Sequence, residues 1–110
     1  MLVKKQRSSA EKIAIFSKRF TARTDVYGTY DLKTGKTYQK KETVTKNVLL
    51  NHLLGRTPYG MYILIKDRAS VAVIDFDDHD RNGPVEFIQQ AKHYNISAYL
   101  EVSKSKGWHV

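Results

Sequence analysis

The chain has 110 residues, 41% hydrophobic and 27% charged, with 19 Lys+Arg against 11 Asp+Glu and a formal net charge of +8. That balance excludes a disordered tail and suits a single small soluble domain, residues 1–110, with a core of modest size. The absence of cysteine excludes disulfides and any cysteine-ligated zinc or iron–sulfur centre.

The chain opens on its most basic third: residues 1–42 carry eleven basic and four acidic side chains. Residues 1–8 read as a flexible basic start, and the lack of an apolar core in Met1 to Ala10 predicts no secretory leader. No apolar run approaches the length that crosses a bilayer, so a cytoplasmic protein without a membrane partner is expected. Ser8 and Ser9 followed by Glu11 resemble a capped helix start. Ile13, Phe16, Ser17 and Phe20 then recur at helical spacing, which predicts a helix over 9–20. Val26–Tyr30 and Thr37–Gln39 predict two short strands around the turn Lys33-Thr34-Gly35-Lys36. Thr45 is placed to cap a helix holding Val48, Leu49, His52 and Leu53, and Gly55 to end it.

Met61–Ile65 reads as a strand, and Lys66-Asp67-Arg68-Ala69-Ser70 as a hairpin loop. Val71–Asp77 is a nearly continuous apolar, β-branched run that ends in acids, the pattern of a central strand buried on both faces. Gly83-Pro84 opens a helix whose inner face is Phe87, Ile88, Ala91 and Tyr94, with Asn95 at its end. Ala98–Ser103 predicts another strand, Lys104–Gly107 a loop, and Trp108-His109-Val110 the beginning of a strand that implies a fold continuing past the last residue.

Two constellations carry chemistry. In Asp75-Phe76-Asp77, strand alternation puts both carboxylates on one side and Phe76 on the other. Paired carboxylates on a rigid strand are hard oxygen donors suited to Mg2+ or Mn2+; the same pattern also fits an ordinary solvated strand end. Asp78, His79 and Asp80 either widen that site or are exposed loop residues. In Ser103-Lys104-Ser105-Lys106-Gly107-Trp108-His109, hydroxyls, ammoniums and a glycine suit a phosphate cradle, with His109 as a donor and Trp108 turned away toward the core. A basic hairpin turn with a packed histidine fits as well. His52, facing Leu49 and Leu53, reads as a packing or capping residue, and His93 as exposed.

The order of these motifs resembles the archaeo-eukaryotic primase superfamily: Val73-Ile74-Asp75-Phe76-Asp77, a helix, a strand, then Ser103-Lys104-Ser105-Lys106-Gly107-Trp108-His109-Val110. Upstream, Arg19-Phe20-Thr21-Ala22-Arg23-Thr24-Asp25-Val26-Tyr27, His52-Leu53-Leu54-Gly55 and Gly60-Met61-Tyr62 narrow the resemblance. It points to primase-polymerases of mobile elements and defence systems, including TOTE conflict-system and CRISPR-associated ones. The resemblance implies an α+β fold with an RRM-like palm and flanking helices. It implies Asp75 and Asp77 as ligands of catalytic Mg2+ or Mn2+, and Ser103, Lys104, Ser105, Lys106 and His109 around the incoming NTP or dNTP, with His109 also catalytic. Arg19 and Arg23 become possible contacts to nucleic acid. The implied reaction is attack of a 3′-hydroxyl on the α-phosphate of a nucleoside triphosphate, copying a DNA or RNA template onto a primer. Helicase, nuclease or CRISPR components become possible associates, in a prokaryotic, phage or mobile-element setting.

The match has departures. The family's third motif, an acid beyond the histidine, has no place before Val110, so this stretch alone is expected to be inactive. The cysteine cluster of some relatives is absent, and Ala22 stands where relatives often have glycine. Two other readings stay open. One is a non-catalytic, basic, RRM-like nucleic-acid-binding module using Tyr27, Tyr30 and Tyr38. The other is a metal-dependent nuclease using Asp75, Asp77 and Asp80.

Overall fold

Residues 5–103 and 107–110 are described by a computed structural model, in which the chain forms two units, Met1–Ser70 and Val71–Val110. Of the expected flexible start, residues 1–4 lie outside the described residues. The class is α+β, as the sequence predicts: three helices and short antiparallel sheets among the described residues.

In the first unit, helix α1 spans Ser9–Phe20. The Ser8 hydroxyl accepts from the Glu11 amide at 3.2 Å, and Glu11 near the start and Lys18 and Arg19 near the end complement the helix dipole. Strands β1 (Tyr27–Tyr30) and β2 (Thr37–Lys40) pair antiparallel, from Tyr27 opposite Lys40 to Tyr30 opposite Thr37. Asp31 closes their turn by accepting from the Lys33 and Thr34 amides at 2.7 and 2.9 Å, which holds its carboxyl below the usual carboxylate range. Helix α2 (Lys46–Leu53) is capped by Thr45, whose hydroxyl accepts from the Val48 amide at 3.2 Å, and Gly55 follows with φ at 72°.

The segment after α2 returns along the free edge of β1. Gly28 and Gly60 exchange two backbone hydrogen bonds of 2.8 and 2.7 Å. The core between these elements is Tyr27, Leu49 and Tyr59, with Ile13, Phe16, Val44, Val48 and Met61 packed against it. Its polar atoms are satisfied: His52 Nδ1 accepts from the Tyr59 amide at 3.0 Å, and the Tyr59 hydroxyl donates to the Phe20 carbonyl at 2.7 Å. His52 therefore has the packing and capping role expected of it.

The expected strand over Met61–Ile65 is shorter, β3 (Leu64–Ile65), and the expected five-residue loop is a two-residue turn at Lys66 and Asp67. Arg68 and Ala69 join the ladder as β4. Lys66 adopts the left-handed conformation, φ 56°, that such a tight hairpin demands.

The second unit holds β5 (Asp75–Phe76), helix α3 (Asn82–His93), β6 (Glu101–Val102) and β7 (Trp108–His109), in the sheet order β5-β7-β6 with both pairings antiparallel. The β5–β7 ladder runs on through Ile74 and Val110, which exchange backbone bonds of 2.9 and 3.0 Å. This corrects the reading of Val71–Asp77 as a central strand buried on both faces: the centre is β7, β5 lies at an edge, and Val73 is 58% exposed. An apolar run shows an affinity for burial without showing how many faces find cover, and α3 meets β5 on the Phe76 side, where Phe76 and Phe87 pack edge to face with centroids 6.3 Å apart.

Helix α3 buries Pro84 and Ala91 and half-buries Ile88, a stripe at i, i+4 and i+7. Tyr94, expected on that stripe, is instead the helix cap and is 72% exposed, because the chain leaves the helix there and Asn95 takes a left-handed φ of 57°. The strand expected over Ala98–Ser103 contracts to Glu101–Val102.

Candidate acid–imidazole site

The register of the three-stranded sheet assembles the site. In an antiparallel ladder directly opposed residues share a face. Asp75 opposes His109 and His109 opposes Glu101, so one face carries the row Asp75, His109, Glu101. The other face carries Phe76, Trp108 and Val102. The apolar pair Phe76 and Trp108 therefore lies on the α3 side and the charged row on the opposite side. Trp108 turns away from His109, as expected, and its indole N–H donates to the His79 carbonyl at 3.2 Å.

His109 Nε2 lies 3.5 Å from Asp75 Oδ1, with the imidazole 31% and the carboxylate 63% exposed. That is ion-pair distance for a protonated ring and too long for a strong hydrogen bond, so both groups keep capacity for another partner. Asp77 is exposed just past the end of β5.

Gly107 makes this register possible. Its backbone lies against the Phe76–Asp77 peptide, and a side chain there would collide with the Phe76 carbonyl oxygen; its φ of 80° also disfavours any other residue. The Ser103 amide donates to the Gly107 carbonyl at 3.1 Å, which closes the hairpin from β6 to β7. Residues 104–106, and with them the expected phosphate contacts of Lys104, Ser105 and Lys106, lie outside the described residues.

The neighbouring acids are occupied with the loop. The Asp78 carboxylate accepts from the Asp80 amide at 3.1 Å, and the Asp80 carboxylate from the amide of Asn82, the first residue of α3, at 3.0 Å. Among the described residues, no group of three or more His, Cys, Asp or Glu is placed to hold a metal ion together. His93 is exposed on α3.

In the first unit, Arg23 is held by Asp25 through two bonds of 3.0 and 2.7 Å. Each group shifts the other, the arginine upward and the Asp25 carboxyl below its usual range. Arg19 is exposed near the end of α1. Of the three tyrosines proposed as a base-binding platform, Tyr27 is buried in the core, Tyr30 is half-buried and Tyr38 is exposed, so Tyr27 drops out of any such surface.

Sequence reasoning missed Glu101. A signal existed: a hairpin centred on Ser105 pairs positions equidistant from it, and Glu101 and His109 each lie four residues away. Reading it required the exact centre of the turn, which residue types alone leave open among neighbouring registers.

The fold and site define a class: a small α+β unit whose antiparallel sheet sets carboxylates beside an imidazole, with a hydroxyl- and lysine-containing sequence just before the imidazole strand. Comparison with known families agrees. The TOTE conflict system, archaeo-eukaryotic primase domain matches residues 30–110, well over half of the chain. The chain belongs to this archaeo-eukaryotic primase family, and so to domains of primase and polymerase type, which act on nucleotides and nucleic acids. No curated protein and no solved structure matches the chain. Among the described residues, no helix is long and apolar enough to cross a membrane.

Proposed function

We propose that residues 1–110 belong to one catalytic domain and supply the metal- and nucleotide-binding core of a DNA primase or polymerase that extends a strand on a template with NTP or dNTP. The observation that carries this reading is the register that seats His109 opposite Asp75, 3.5 Å apart. It joins the two halves of the motif pair at one place on one sheet face.

The donor set fits a hard divalent cation. Asp75 and Asp77 offer carboxylate oxygens from the end of one strand, and Mg2+ commonly takes one or two carboxylates with substrate phosphates and water completing its shell. Mg2+ or Mn2+ held there supplies Lewis acidity toward phosphate oxygens. The chain's own groups do the rest. The His109 ring donates a hydrogen bond to a phosphate oxygen, and Ser103 and Ser105 add hydroxyl donors. Lys104 and Lys106 offset the triphosphate charge. Glu101, on the far side of His109, is a positioning residue that orients the ring. Helicase, nuclease or CRISPR-type components are the associates this reading proposes.

Isothermal titration with Mn2+ and a nucleoside triphosphate tests the reading. The native chain is expected to bind the nucleotide in a metal-dependent way, and Asp75→Ala/Asp77→Ala to lose that dependence; indistinguishable isotherms overturn the proposal. His109→Ala should weaken nucleotide binding about tenfold, ~1.4 kcal/mol, the loss of one charge-assisted hydrogen bond. Glu101→Gln should cost less alone and nothing further in the His109→Ala background, because it acts through the ring; additive losses refute that role.

A further inference from the structure

The first unit holds a bay of about 430 Å3 on the outer side of the β1–β2 hairpin. Two glycines explain why it exists. Gly28 and Gly60 face each other across the backbone pair and contribute no side chain. A β-carbon on Gly28 would point to within 3.9 Å of the Tyr62 hydroxyl, into space that is open instead. Around this floor stand Tyr30, Tyr62 and Gln39, the last directly opposite Gly28, while Tyr38, opposite Thr29, belongs to the other face of the hairpin. Tyr62 is 37% exposed at the rim.

The surroundings are positive. Residues 27–62 carry six Lys and Arg against two acids, and β2 ends in Lys40 and is flanked by Lys36 and Lys41. A slot with tyrosine walls, a backbone floor and a cationic margin matches a flat aromatic base linked to phosphates. A duplex keeps its base faces stacked, whereas a single strand can turn a base into such a slot.

We infer that this bay is a stacking site for single-stranded nucleic acid, independent of divalent metal and separate from the Asp75–His109 site. Tyr62 and Tyr30 contact the base, Gln39 meets its edge, and the lysines around β2 meet the backbone phosphates.

The test is fluorescence anisotropy of a labelled oligothymidylate with the full chain, in EDTA so that metal-held nucleotide plays no part. Native protein is expected to bind, with affinity falling as salt rises. Tyr62→Ala is expected to weaken binding about tenfold, the scale of one lost base–aromatic stack, while Tyr62→Phe stays within about twofold because the ring is retained. Gly28→Ala raises the floor with contacts no closer than 3.7 Å and so should fold normally; it is expected to weaken binding about threefold, within the range of partial loss of a stack. Circular dichroism confirms that each variant is folded.

The inference is overturned by native protein that does not bind in EDTA, or by folded Tyr62→Ala and Gly28→Ala that bind as native does. It is equally overturned if Tyr62→Phe loses as much as Tyr62→Ala. Displacement of the oligomer by thymidine monophosphate at equal nucleotide concentration would assign the bay to free nucleotide and also overturn it. Because metal is absent throughout, failure of the proposed catalytic reading leaves each of these outcomes unchanged.

Discussion

The two units of the chain differ in how they are held together. Met1–Ser70 has a closed aromatic core in which Tyr27, Leu49 and Tyr59 are almost fully buried and the polar atoms of Tyr59 are bonded at both ends. Val71–Val110 carries the candidate chemistry on strands of two residues each, with Pro84, Ala91 and Gly107 buried among its described residues and with Ile96, Tyr99 and Val102 exposed. The first unit is held by volume and the second by register. Volume is distributed over many contacts and tolerates small changes, whereas a register of a few backbone pairs fails at a single point.

The sharpest way to break the comparison is at Gly107. Gly107→Ala puts a side chain into the Phe76 carbonyl and forces a left-handed backbone on alanine, so it should cost more than about 3 kcal/mol in the second unit. Trp108 is the chain's one tryptophan and sits on β7 opposite Phe76 and Val102, so its fluorescence reports the loss directly. A native-like spectrum and denaturation midpoint in Gly107→Ala would show that the register is not held there.

Leu49→Ala tests the other side of the comparison. Truncating a leucine that is 3% exposed should destabilise the first unit by about 3 kcal/mol, the usual range for a buried leucine, read by far-UV circular dichroism in urea. A loss below about 1 kcal/mol would mean that the aromatic core closes over the gap.

The smallest effect concerns the β1–β2 turn. Asp31 is bonded to two backbone amides when ionised, so its folded value lies below its unfolded one. Its contribution is present above the ordinary aspartate range near 4 and is lost as pH falls through the depressed folded value. Amide exchange at Lys33 and Thr34 should quicken as pH drops below about 4, beyond the intrinsic trend; Asp31→Asn, which keeps one acceptor, should flatten the response.

Local chemistry was legible wherever a residue type acts on its own backbone. Ser8 and Thr45 cap α1 and α2 where those helices are predicted to start, and Gly55 and Asn95 follow α2 and α3 in left-handed conformations. The hairpin at 27–40 was legible for the same reason. The family was readable as motif order, from the Asp75–Asp77 stretch to the Ser103–His109 stretch. Burial was not. The run at 71–77 looks doubly buried and is an edge, and Tyr94 and Tyr27 exchange the exposures expected of them.

What the sequence by itself determined was the list of reactive groups and the local turns and caps, because those depend on neighbours within a few positions. Only the tertiary structure decided which groups meet. Asp75 reaches His109 across 34 residues of chain, and Glu101 enters the same row, because one antiparallel register around Gly107 aligns three strands. Such pairing depends on backbone geometry between distant segments, and a shift of a single residue would send the imidazole to the opposite face.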